Sequence, residues 1–124
     1  MRFELDPALL GLVDKVAVVS GASFGGLGGA HCVQLARAGC HVVVSSNDEA
    51  RGLETARQVR ELGREAIFVR ADARDADEVA HLMEAAVEYF GRVDVAVNNV
   101  GGTKGTAPIL DYQEEDWDAV VDLC

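Results

Sequence analysis

The sequence predicts a doubly wound α/β domain, a parallel sheet of about four strands with about four helices on its two faces. Three observations carry this. Four short valine-rich runs, Val16–Val19, Val42–Val44, Ala66–Val69 and Val93–Val97, are continuous rather than alternating, as strands buried on both faces read. The segments between them carry apolar residues at helical spacing. Glycines stand just past three of those segments, at Gly39, Gly63 and Gly91, where a left-handed residue ends a helix.

Residues 1–14 form a lead-in in which Pro7 discourages regular structure, and 15–124 hold the domain. After the first strand, Leu27–Ala38 places Gly28, Cys32, Leu35, Ala36 and Gly39 on one stripe, small enough for close packing on a sheet. Asp48–Leu62 groups Leu53, Ala56, Val59 and Leu62. Asp75–Phe90 is the clearest helix, with Val79, Leu82, Met83, Ala86 and Phe90 aligned and Asp75 with Glu78 as a capping box. A last helix begins near Gln113, its first turn rich in acid (Glu114, Glu115, Asp116). Trp117, Val120, Val121 and Cys124 share one of its faces, with Trp117 expected as a core anchor. A fourth strand with nothing beyond it has one unpaired edge. The domain therefore reads as incomplete, truncated before further strands, and the chain alone is expected to oligomerise or aggregate.

Composition narrows the function. Apolar residues make up 49% of the 124, enough for a core. Eleven basic residues against 21 acidic ones give a net charge of −10, which argues against nucleic acid or an anionic membrane surface as partner. Three cysteines without metal spacing, and a start (Met1-Arg2-Phe3-Glu4-Leu5-Asp6) too acidic for a signal peptide, predict reduced thiols and a cytoplasmic protein. His31, His41 and His81 show no ligand spacing, so no metal site is expected. Cys32 and Cys40 read as small packing residues.

The chemistry lies where strands end. Ser20-Gly21-Ala22-Ser23-Phe24-Gly25-Gly26-Leu27-Gly28-Gly29 joins strand one directly to a helix. Glycines let a backbone approach an anion closely, and a helix start aims unpaired N–H groups and a positive dipole end at it. The end of strand two, Ser45-Ser46-Asn47-Asp48, places neutral Ser46 where an acid would select a ribose 2′-hydroxyl. Ser46 also suits a helix N-cap paired with Glu49. Asp72-Ala73 follows strand three, and Asn98-Asn99-Val100-Gly101 follows strand four, with the Asn98 amide placed to tie neighbouring strands together.

Taken in order, these motifs resemble the short-chain dehydrogenase/reductase family over about residues 12–124. Ser20-Gly21 with Gly26-Leu27-Gly28 resembles the family's T-G-x-x-x-G-[IL]-G, with serine for threonine and one extra residue, which Gly25 absorbs or else displaces the register. Asp72-Ala73 resembles its Asp-Val pair, which meets adenine. Asn98-Asn99-Val100-Gly101, preceded by Gly91-Arg92-Val93-Asp94-Val95, resembles N-N-A-G, on the ribose and nicotinamide side. The resemblance implies a Rossmann domain that binds NAD(P) through Ser20, Gly21, Ser23, Gly26, Leu27, Gly28, Ser46, Asn47, Asp72, Ala73, Asn98, Asn99, Val100 and Gly101. Neutral Ser46 gives a slight lean to NADP. It also implies hydride transfer to a carbonyl or from an alcohol, on a small-molecule substrate, in a homo-oligomer when complete.

The family's catalytic tyrosine with a lysine four residues on is absent here: Tyr89 is followed at that distance by Val93, and Tyr112 by Asp116; the lysines are Lys15 and Lys104. By the resemblance, that pair and the catalytic serine belong beyond Cys124, and Cys124 itself takes the place of the family's relay asparagine. No catalytic residue is therefore assigned within the chain. Two rivals remain: a stand-alone dinucleotide-binding or interaction module without catalysis, and a Rossmann-like methyltransferase, which the Ser-Gly loop and the Asn-Asn-x-Gly turn disfavour.

Overall fold

The computed structural model describes residues 6–103 and 107–124; the first five residues of the lead-in and Lys104 lie outside the described residues. Strands β1 (Val16–Val19), β2 (His41–Ser46), β3 (Ala66–Arg70) and β4 (Val95–Val97) alternate with helices α1 (Leu27–Arg37), α2 (Glu49–Glu61), α3 (Ala76–Phe90) and α4 (Glu114–Leu123). All the strand pairings are parallel and the spatial order is β3-β2-β1-β4. The chain turns back across β1 to place β4, so the order reverses between β1 and β4. This is the doubly wound sheet that the valine runs predict.

The strand period of two sorts each run into two cores. Ala17 and Val19 of β1, with Val42 and Val44 of β2, meet Cys32 and Ala36 of α1 and Ala56 and Val59 of α2. Val16, Val18 and Val43 point the other way, against Leu82 and Ala86 of α3. The small residues on α1 and α2 bring those helices down onto the sheet. In α2 the stripe differs from expectation: Gly52 and Thr55 are buried with Ala56 and Val59, while Leu53 and Leu62 are exposed. Gly52 lies beneath Phe68 of β3, where an added Cβ would stand 2.2 Å from the ring. Gly52→Ala is expected to lower stability by about 1–3 kcal/mol, read from the denaturant midpoint, because the ring must leave a packed position.

Gly39, Gly63 and Gly91 hold φ of 101°, 81° and 77°, as their places after the helices predict. Several local expectations are corrected. Asp6 caps a 3₁₀ turn at Pro7–Leu10, so the lead-in is ordered there; proline suits a first turn because its missing N–H would be unpaired anyway. Strand β4 begins at Val95 rather than Val93. Asp94 ends the preceding loop by accepting the Val16 amide at 2.9 Å and Arg92 Nε at 2.8 Å. The Asp75–Glu78 capping box is half made. Asp75 accepts from the amides of Asp77 and Glu78, but the Glu78 carboxylate accepts from the Asp72 amide at 2.7 Å, two residues past the end of β3.

Trp117 is not a core anchor. It is 55% exposed, and α4 has no buried residue. Among the described residues, helix α4 packs substantially against no other element, and its apolar face lies beside Ile109 and Tyr112. Among the described residues, strand β4 pairs only with β1, and Ala96 between its two half-buried valines is exposed.

Four carboxylates have depressed pKa values: Asp94 beside Arg92 and the Val16 amide, Asp14 beside Arg64, Asp72 beside Arg74, and Glu54 beside Arg57. The folded state binds fewer protons than the unfolded state near their ordinary range. Their contribution is thus complete at neutral pH and is lost as pH falls below about 4. Denaturant midpoints are expected to be flat near neutrality and to fall in that acid range, less steeply in Asp94→Asn.

Candidate functional site at the carboxyl ends of the strands

The four strand-end turns meet at one place. Ser20 and Gly21 leave β1 and hydrogen-bond to the turn after β4. Ser20 Oγ donates to the Val97 carbonyl (3.3 Å) and accepts the Asn99 amide (3.1 Å), and Asn99 Nδ2 donates to the Gly21 carbonyl (3.1 Å). The strand tie is therefore made by Asn99, not Asn98. Successive residues leaving a strand point to opposite sides, so only one of two adjacent asparagines can face β1, and Asn98 is exposed.

The glycine loop is close-packed where it enters α1. A Cβ on Gly28 would stand 2.2 Å from the Gly21 carbonyl oxygen, and one on Gly29 2.7 Å from the Ser23 carbonyl oxygen. Gly25 takes φ of 80° and Gly26 is the extended N-cap, so Gly25 carries the extra turn and the helix opens at Leu27. Gly26 has no side chain to cap with, which leaves the first-turn amides of α1 without a side-chain partner. Such amides, with the helix dipole behind them, suit an anion.

Across the cleft, Ser46 ends β2 almost fully buried. Its hydroxyl lies 2.7 Å from Ser23 Oγ and accepts the Asp48 amide at 3.0 Å. Ser46 is not the N-cap of α2. Asp48 is, accepting the Arg51 amide at 3.0 Å, because the strand runs on through Ser46 and the helix starts only at Glu49. Ser46 thus braces the glycine loop from below. Asp48→Ala is expected to cost about 1 kcal/mol in stability through the lost cap, measured by thermal melt.

A cleft of about 340 Å³ runs between these turns. Of the sequence-predicted residues, Gly21, Ser23, Ser46, Asn47, Asp72, Ala73, Asn99, Val100 and Gly101 line it. Gly28 lies buried beneath the loop, and Ser20 and Asn98 line an adjoining depression under the ends of β1 and β4. Gly26 and Leu27 sit on the outer side of the loop, Leu27 being 75% exposed.

Two arginines that sequence reasoning passed over shape the site. Arg51, in the first turn of α2, grips the Phe24 carbonyl with Nε at 2.9 Å and Nη2 at 2.7 Å, tying down the longer part of the glycine loop. Arg74 lines the cleft and pairs with Asp72 through Nε (3.0 Å) and Nη2 (2.6 Å). That pairing holds the Asp72 carboxyl well below the usual carboxylate range. An acid and an arginine two residues apart in a strand-end loop was the available signal for Arg74; Arg51 offered none.

The cysteines within the core are inert. Burial pushes the Cys32 thiol up to about 12, and Cys40 donates to the Leu12 carbonyl. Among the described residues, no group of three histidine, cysteine or acidic side chains could hold a metal ion.

Fold and cleft together define the class: a doubly wound, Rossmann-like sheet whose glycine turn and strand-end loops converge at the point where strand order reverses. Within that class, residues 15–124 match the family model described as short chain dehydrogenase, and the chain belongs to that family. The 2-dehydro-3-deoxy-D-gluconate 5-dehydrogenase of Escherichia coli is 40% identical over 112 residues, 90% of this chain and 43% of that protein. The short-chain dehydrogenase/reductase FrzI of a Cladobotryum species is 35% identical over 113 residues, 90% of this chain and 43% of its own length. A crystal structure of a short chain dehydrogenase from Mycobacterium smegmatis superposes with a TM-score of 0.83 at 34% identity, covering 90% of this chain and 47% of that one. The chain thus spans less than half the length of these relatives.

Proposed function

We propose that residues 15–124 form the dinucleotide-binding part of an NAD(P)-dependent oxidoreductase. The observation that carries this is the convergence of four strand-end turns on one cleft beside the uncapped start of α1. The fit is specific in the loop: Gly28 and Gly29 have no room for a Cβ, and this tight packing sets the α1 amides beside the turn. Those amides would hold the pyrophosphate, Ser23 and Asn47 would meet the adenosine ribose, Asp72 and Ala73 the adenine, and Asn99 to Gly101 the nicotinamide side. Ser20, Ser46 and Asn98 would support these turns, with Gly26 and Leu27 opening the helix.

When bound, the nicotinamide supplies a hydride donor or acceptor. The residues here bind and orient it. A complete protein would oxidise an alcohol or reduce a carbonyl, with its acid/base residues outside this chain. Neutral Ser46 supports a lean towards NADP, since no carboxylate at that place repels a 2′-phosphate. An odd number of cysteines without metal spacing supports a cytoplasmic setting; no described helix is long and apolar enough to cross a membrane. The open edge of β4 supports self-association.

The test is titration of the purified chain with NADH and NADPH, followed by nicotinamide fluorescence. Saturable binding of either, tighter for NADPH, is expected. A folded sample that binds neither overturns the reading in favour of an interaction module.

A further inference from the structure

We propose that the Arg74 guanidinium is the flat surface against which the adenine ring of the dinucleotide stacks. This rests on the dinucleotide reading above and assigns the adenine face of the site to a residue outside the recognised motifs.

Arg74 is held at three points by Asp72, although its side chain is 59% exposed. Its Nε and Nη2 meet the two Asp72 oxygens, and its backbone amide bonds Asp72 Oδ1 at 3.0 Å. Asp72 is fixed in turn. Its amide donates to the Glu78 carboxylate at 2.7 Å, and its carbonyl accepts the Asp75 amide at 3.0 Å. Asp75 caps α3. The guanidinium is therefore anchored through three links to the start of a helix, at the end of β3, on the wall of the cleft. Little side-chain entropy is left to lose on binding.

What that anchoring leaves free decides the ligand. The Nε–Nη2 edge is occupied by Asp72, and the carboxylate balances the charge. The planar faces and the Nη1–Nη2 end remain, and of these the faces suit a flat base while the charge balance disfavours an anion. A guanidinium plane stacks on a purine as an aromatic ring does. Among the described residues that line this cleft, none is aromatic and Arg74 is the one cation. Beside it the lining is small, Ala71 and Ala73, which admits a flat ring. Asp72 positions Arg74, and its Oδ2, which accepts from Arg74 Nη2, keeps a lone pair for the edge of the adenine.

The experiment measures Kd for NADH by fluorescence, and for AMP and nicotinamide mononucleotide by displacement. It uses the whole chain and its Arg74→Gln and Arg74→Lys variants, with a thermal melt confirming that each is folded. Loss of one base-stacking contact is expected to weaken NADH and AMP about tenfold in Arg74→Gln, with nicotinamide mononucleotide unchanged. Arg74→Lys keeps the charge but not the plane, and should lose as much. The ratio of wild type to variant should hold as ionic strength rises.

Wild-type affinity for AMP in Arg74→Gln overturns the proposal. So does rescue by Arg74→Lys, or a ratio that collapses with salt; either marks a phosphate contact instead. Should one variant fail to fold, the other decides. A wild-type chain that binds neither NADH nor NADPH overturns the dinucleotide reading itself, and that result is visible before any variant is made.

Discussion

Gly28→Ala is expected to abolish dinucleotide binding and to cost more stability than any other single methyl addition in the glycine loop. The added Cβ would stand 2.2 Å from the Gly21 carbonyl oxygen and 2.7 Å from Asn99 Nδ2. Two of the three nearest atoms are Gly21 backbone, so no side-chain rotation relieves the clash. The helix must retreat from the loop, and with it go the amides that would face a pyrophosphate. A loss of about 3 kcal/mol or more fits overpacking at its severe end, enough to unfold a marginal domain. Gly26→Ala is the control, since its Cβ would lie 3.5 Å from the Ser23 carbonyl oxygen. The prediction fails if the alanine at 28 melts and titrates like the one at 26.

Asn99→Asp should come next in effect. The Asn99 amide donates to the Gly21 carbonyl, and a carboxylate at that place sets two acceptors against each other. The Gly21 carbonyl loses its partner in a half-buried setting, which costs about 1–3 kcal/mol. The new charge also lies on the wall of a cleft that, on our reading, receives an anion. Stability by denaturant and affinity by NADH titration should fall together. Asn99→Ser, which removes the tie without adding charge, should lose stability but keep more of the affinity. Equal affinity losses in the two variants would show that charge plays no part.

Much of this arrangement is legible in the residues because it depends on local chemistry. The continuous valines of β1 fix that strand to the residue, since only burial on both faces tolerates such a run. Gly39, Gly63 and Gly91 mark helix ends because few other residues adopt positive φ without strain. The places of Gly21, Asp72 and Asn99 just after strands mark them as turns, and the fold brings them to one cleft.

What the residue pattern conceals depends on partners that lie outside it. Trp117 sits on a correct apolar stripe, but a stripe does not say what covers it, and among the described residues nothing does. Asn98 and Asn99 are chemically identical, and only the pleat chooses between them. Glu78 left its capping box because the Asp72 amide, six residues back, had a stronger need. Arg51 shows no pattern on its own helix; its partner is a carbonyl 27 residues away.

The clasp between Ser20 and Asn99 has a consequence in time. Its hydrogen bonds span 79 residues, and the β1–β4 pairing joins the most widely separated strands in the sheet. Such pairings close large loops and form late, after local helices and the β1–β2–β3 pairings have paid most of the ordering entropy. On a ribosome, the glycine turn would emerge and remain an open, mobile segment until the fourth strand arrived to latch it. The cleft is then the last part of this four-stranded sheet to exist. Its appearance would report that β4 has docked.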